Sequence, residues 1–199
     1  INRGEEEVPG YLIPEMYFDF LKTQDARPMA GIFYHNEIDI LSLAGLFSAM
    51  SDLLHDPHSN IITHDEDRAS LARFFESLDD IAQAKTLYQT ALKSDLSGSL
   101  YEEMLQRFSF LLKRQGEWKE ALTLWEEAAD HHALYACEEL AKYYEHQVKD
   151  LKTALQWTLR GIQALQNNHL SPFHYQSWKE NLDHRLNRLE QRLARLDQG

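Results

Sequence analysis

The chain has 199 residues, enough for one domain or two small ones with a substantial core. Its 32 acidic against 20 basic residues give a formal charge of -12, which disfavours non-specific nucleic-acid binding. The single cysteine, Cys137, excludes an internal disulfide and a cysteine-rich zinc site, and only 8 Gly and 5 Pro favour helices over a sandwich or barrel.

Residues 1–10 read as an acidic, irregular entry that runs through Glu5-Glu6-Glu7 and closes at Pro9-Gly10. There is no basic-then-apolar leader, and no apolar run near 18 residues is expected. The expectation is a cytoplasmic protein with no membrane partner. The start at Ile1 rather than Met suggests a piece of a longer chain.

Leu12, Met16, Tyr17, Phe20 and Leu21 recur at helical spacing, which predicts a helix over 12–22 with Pro14 in its first turn. The run Thr23 to Pro28 breaks it. A second helix is predicted from near Phe33 to about Leu54. Its apolar residues, among them Leu41, Leu43, Leu46, Phe47 and Met50, cover much of the circumference, so it should be buried on more than one side. His55-Asp56-Pro57 ends it, and 55–66 reads as a linker. His55, His58 and His64 stand there among acids, but their spacing matches no tight metal site.

From 67 onward, helices of 12–16 residues alternate with short breaks. Three triplets recur: Ala84, Tyr88, Ala91; Ala121, Trp125, Ala128; and Ala154, Thr158, Gly161. Each follows an acidic or Gly-containing turn and an earlier amphipathic helix. Small residues let the two helices of a hairpin approach, and the residue between them fills the gap to the next hairpin. The aligned alanines lie 37 and 33 residues apart, and the arrangement resembles the tetratricopeptide repeat. The third turn looks one residue longer than the others, and that repeat resembles the Sel1-like variant. The alternative is a generic helical bundle. Ser171-Pro172 reads as the start of a last helix that runs to about Leu196 with leucines at alternating four and three spacing. It is either a cap over the last repeat or a coiled-coil seam. The predicted fold is therefore all-α: 1–54 as a separate helical segment, 55–66 as linker, and 67–199 as an α-α superhelix of about three hairpins with a capping helix.

Two sets of residues are candidates for function. His35 and Asp39, four apart, share one face of the second helix, with Tyr34 beside them. A plainer alternative makes Glu37 and Asp39 first-turn acids that favour the helix dipole. On the repeats, the first helix of the best-matching hairpin should present Glu103, Gln106, Phe110, Lys113 and Arg114 to a protein or peptide. Phe110 beside two cations could anchor an interface, or could pack on the neighbouring repeat. Cys137 reads as a packing residue.

The run Pro14-Glu15-Met16-Tyr17-Phe18-Asp19-Phe20-Leu21-Lys22, with Tyr34-His35-Asn36, Asp39 and Leu41-Ser42-Leu43, resembles the C-terminal end of a YprB-type ribonuclease H-like domain of the DEDD exonuclease group. The resemblance implies that Asp39 is the final metal-binding Asp and that His35, or next Tyr34, orients the attacking water. It implies a divalent cation, Mg or Mn, for a parent chain that performs 3'-5' exonuclease chemistry. The Asp-x-Glu strand and the mid-domain Asp of that group are not present in these residues. One Asp cannot hold two cations, so the expectation for this chain alone is no metal cofactor and no nuclease activity. Nucleic acid would then be reached only through the missing part. The helices 12–54 could pair with that part, with the repeat groove, or with a second copy as a homodimer.

Overall fold

The computed structural model describes residues 8–57, 59, 62, 64–168 and 170–196. Every regular element among them is helical. The chain divides into two compact units, Ile1–Thr63 and His64–Gly199.

In the first unit, helix α1 spans Ile13–Thr23 and α2 spans Ala30–His55. Pro14 sits in the first turn of α1, where its missing N–H costs nothing. Gln24 ends the helix in the left-handed region, at φ 57°, with its amide donating to the Phe20 carbonyl. Arg27 then clamps Asp25 through Nε and Nη2, at 2.8 and 2.6 Å, and a 3-10 turn over Arg27–Met29 leads into α2.

Helix α2 departs from expectation in two ways. No residue of α2 is buried, although burial on more than one side was predicted. Leu43 is 65% exposed and Phe47 74%. Apolar residues around a helix record what would lose water contact on packing, but nothing among the described residues supplies the cover. Second, Arg27–His55 is long and apolar enough to cross a membrane by length and composition. This corrects the expectation of no such run: the Ser and Gly residues that interrupt the apolar sequence lower its mean hydropathy only slightly.

The second unit is seven helices: α3 (Asp65–Ser77), α4 (Ile81–Ala91), α5 (Gly98–Arg114), α6 (Trp118–Asp130), α7 (Leu134–Tyr143), α8 (Leu151–Asn167) and α9 (Pro172–Leu196). Successive helices pack as hairpins, α3 on α4, α5 on α6 and α7 on α8, and α9 lies on α8. The three triplets form the seams. Ala84, Tyr88, Ala121, Trp125, Ala154 and Thr158 are fully buried. Gly161 supplies the closest approach: a Cβ there would sit 3.2 Å from Leu182 Cδ2 on α9 and 3.3 Å from Cys137 Cβ on α7. Tyr88 stacks on Phe108 at 5.5 Å, which joins the first hairpin to the second.

Three turns close alike. Asp79, Gly116 and His132 adopt positive φ, and the next amide reaches back five residues: Asp80 to Phe75, Glu117 to Leu112, Ala133 to Ala128. These are Schellman closures, which satisfy carbonyls left over at a helix end. The turn after α7 differs. Tyr144–Val148 widens into a π-helical turn, Lys149 takes the left-handed conformation, and the Asp150 amide reaches back six residues to Tyr144. The extra residue seen in the sequence is this widening. Asp150 then caps α8, accepting from the amides of Lys152 and Thr153. Helix α9 begins at Pro172 behind Ser171, whose Oγ accepts from the His174 amide, as read from the sequence.

Candidate functional site

Helix α2 brings His35 and Asp39 together. His35 Nε2 lies 3.2 Å from Asp39 Oδ2, one turn along the helix, and both side chains are about two-fifths exposed. Tyr34 is 60% exposed on the adjoining position. The helix begins at Ala30, not Phe33, so Asp39 stands in its third turn. A charge there is beyond the reach of the helix-end dipole, which removes the plainer reading of Asp39 as a first-turn acid. What remains is an accessible carboxylate 3.2 Å from an imidazole nitrogen: an arrangement able to orient a water or supply one oxygen to a cation. Among the described residues no group of three or more His, Cys, Asp or Glu side chains could hold a metal ion. One carboxylate beside one imidazole could supply at most part of a two-cation centre. His58 lies outside the described residues.

The predicted face on α5 divides between its neighbours. Glu103 accepts from Arg73 and Arg107, and Arg114 reaches Glu76 at 2.7 Å, so both engage charges of α3 or of α5 itself. Lys113 pairs with Glu139 of α7. Phe110 packs beside Tyr135 of α7 at 5.9 Å and Trp125 of α6 at 6.4 Å, the packing alternative posed above. Gln106 is exposed. Arginine at 107 and glutamate at 76 complete a network that holds Glu76 below the usual carboxylate range: burial opposes ionisation, but bonds from Tyr88 and Arg114 outweigh it. Cys137 is buried, and burial pushes its thiol up to about 11, as befits an inert packing residue.

The most densely charged place in the molecule was not foreseen. Glu145, inside the π-helical turn, is buried, with 1% of its side chain exposed. It accepts from Arg185 at 2.8 Å, Arg188 at 2.7 Å and Arg192 at 2.8 Å, all from α9. Burial works against its charge, yet the bond from Arg188 and the surrounding cations hold its carboxyl below the usual range. Beside it, Lys113 and Lys142 grip Glu139. The signal in the sequence was the spacing of the arginines, three and four apart on one face of α9, alongside the leucine stripe.

Residues 1–51 match the family model described as the RNase_H superfamily. The chain is also similar to the "Uncharacterized protein YprB" of Bacillus subtilis (strain 168), at 36% identity over 163 residues. That alignment covers 77% of this chain and 38% of the relative, so the chain spans less than half of that protein's length. An alignment of 163 residues must extend well into the second unit, so the likeness is not confined to the segment that the family model matches.

Proposed function

We propose that this chain is the protein-interaction and scaffolding region of a ribonuclease H-like nuclease-family protein. In this reading α1 and α2 are closing helices of the nuclease domain, and α3 to α9 form a tetratricopeptide-like array of three hairpins with a capping helix. The observation that carries it is a coincidence on α2. The helix inside the family match holds His35 and Asp39 together and leaves its apolar surface uncovered.

The uncovered surface then has an occupant, the remainder of the nuclease domain in a longer chain. That assignment is preferred to a bilayer because most of α2 falls within the match to the RNase_H superfamily, and Glu37 and Asp39 are charges that a lipid-facing helix rarely carries. At high protein concentration the same surface of the isolated chain would pair with a second copy, and in dilute solution it would stay open. The array would hold a protein or peptide along the faces of its first helices, or buttress the nuclease domain itself, in the cytoplasm.

The alternative reading makes the complete protein a metal-dependent 3'-5' exonuclease. Asp39 would then bind Mg or Mn with carboxylates supplied from outside these residues, and His35 would orient water. The two readings are compatible. The test is a divalent-metal nuclease assay on the isolated chain and on the longer protein. Expected are no cleavage by residues 1–199, cleavage by the longer protein, and its loss on Asp39→Asn by a factor of about 100 or more. Cleavage by residues 1–199 alone would overturn the scaffolding reading. An Asp39→Asn parent that cleaves at full rate would remove Asp39 from the site.

A further inference from the structure

A pocket lies wholly within the unit of helices α3–α9. It has a volume of about 300 Å³ and opens between α5, α7 and α9, at the π-helical turn. Its wall carries Lys113, Lys142, Arg185 and Arg188, with the rings of Trp118 and Tyr143. Those rings lie 5.5 Å apart, tilted 36° to each other.

The charges around it do not balance. Lys113 and Lys142 are matched by Glu139 and Glu138. Arg185, Arg188 and Arg192 converge on the single carboxylate of Glu145. Arg185 also lies 3.9 Å from Glu138, so Lys113, Lys142, Arg185, Arg188 and Arg192 together face the three carboxylates of Glu138, Glu139 and Glu145, a surplus of two positive charges in a chain whose net charge is -12. The donors do not balance either. A guanidinium carries several N–H groups, and Arg188 gives Nη2 to Glu145 while its buried Nε has no hydrogen-bond partner among the described residues. Surplus charge and unspent donors therefore meet at the arginine wall, and the two rings line the same pocket.

A ligand that satisfies both must bring two negative charges on one compact group and a flat ring system. A phosphate monoester carries about 1.5 to 2 negative charges at neutral pH and offers three acceptor oxygens suited to arginine. A nucleobase stacks on aromatic rings whatever its sequence. The volume lies at the lower end of small-ligand sites, which suits one nucleotide and not a folded partner. We propose that this pocket binds a nucleotide through a terminal phosphate monoester, the phosphate at Arg185 and Arg188 and the base against Trp118 and Tyr143. The nucleotide is either free or the phosphorylated end of a strand. This site is separate from Asp39 and does not depend on the nuclease reading.

The test uses the 199-residue chain with adenosine 5'-monophosphate as probe, followed by calorimetry and by Trp fluorescence. Saturable binding is expected, about tenfold or more tighter than for adenosine and for inorganic phosphate, since each lacks one half of the recognition. It should weaken as salt rises. Lys142→Gln, which leaves the Glu145 cluster intact, should weaken binding severalfold without shifting the melting temperature by more than a few degrees. Arg188→Gln should weaken it more. A 5'-phosphorylated oligonucleotide that matches or exceeds the mononucleotide identifies a strand end, and one that binds less well identifies the free nucleotide; both support the site. No saturation at millimolar nucleotide overturns the proposal. So does equal affinity for adenosine, for inorganic phosphate, or for a phosphoserine peptide.

Discussion

Phe47 on α2 is 74% exposed, while Trp125 on α6, a larger ring, is fully buried. The two lie in helices of similar apolar content, and the contrast separates the two units. In the second unit each helix finds its cover in the hairpin before or after it, through small residues at 84, 121 and 154 that let neighbours close in. In the first, α2 carries Leu41, Leu43, Leu46, Phe47 and Met50, and all of them stay more than half exposed. Local pattern thus decides that a helix forms and which residues would gain from burial. Only the rest of the chain, or another molecule, decides whether burial happens.

The widest test of that contrast compares the two rings. Trp125→Ala should cost about 3–5 kcal/mol by removing a core side chain. Phe47→Ala in the isolated chain should change stability by less than about 0.5 kcal/mol, as for an open surface site. Denaturant unfolding of both variants measures the difference. An equal cost at the two positions would mean that α2 is covered in solution, and light scattering would then show a dimer.

The Glu145 cluster should come next. Glu145→Gln leaves three arginines facing a neutral side chain, and removing one partner of a buried ion pair costs about 3 kcal/mol or more. The pH dependence follows from the lowered carboxyls of Glu145, Glu139 and Glu76. A carboxyl with a lower pKa in the folded state contributes stability that is complete above its unfolded pKa, near 4.5 for Glu, and is lost as pH falls through the folded value. The melting temperature should therefore fall as pH drops below about 4.5, and Glu145→Gln should flatten that fall. An identical acid profile in both proteins would remove Glu145 as a contributor.

At Gly161 the effect should be smaller. Gly161→Val should cost about 1–3 kcal/mol, because a side chain there must displace Leu182 and presses on the Cys137 backbone-anchored Cβ. Thermal melting measures it. Smallest is a gain. His132 holds a left-handed conformation at φ 64° that glycine adopts without strain, so His132→Gly should stabilise by about 0.5–1 kcal/mol. A loss would show that the imidazole contributes something the turn geometry does not reveal.

The repeat triplets and the turns were legible because their signals are local. Asp79-Asp80 and Gly116-Glu117 stand where the helices break, and every small residue of the triplets is buried. The last helix was read within a residue because Ser171-Pro172 starts a helix by its own chemistry. The extra residue near 148 was also visible, but not its purpose. The arginines that answer Glu145 come 40 to 47 residues later, and no local pattern links them. At the other site the pairing of His35 with Asp39 follows from helical spacing alone. The number of turns before Asp39 did not, since 3-10 geometry at Arg27–Met29 moved the helix start forward.

The widened turn after α7 also restricts which helix can stack on the α7–α8 hairpin. A carboxylate as buried as Glu145 must be met by cations from whichever helix stacks next, and α9 brings them at 185, 188 and 192. An ordinary hairpin inserted ahead of α9 would carry no such stripe and would seal an unanswered charge beneath it. A further hairpin is thus tolerated at this point only if it brings cations of its own: the widened turn selects its neighbour through one acidic residue.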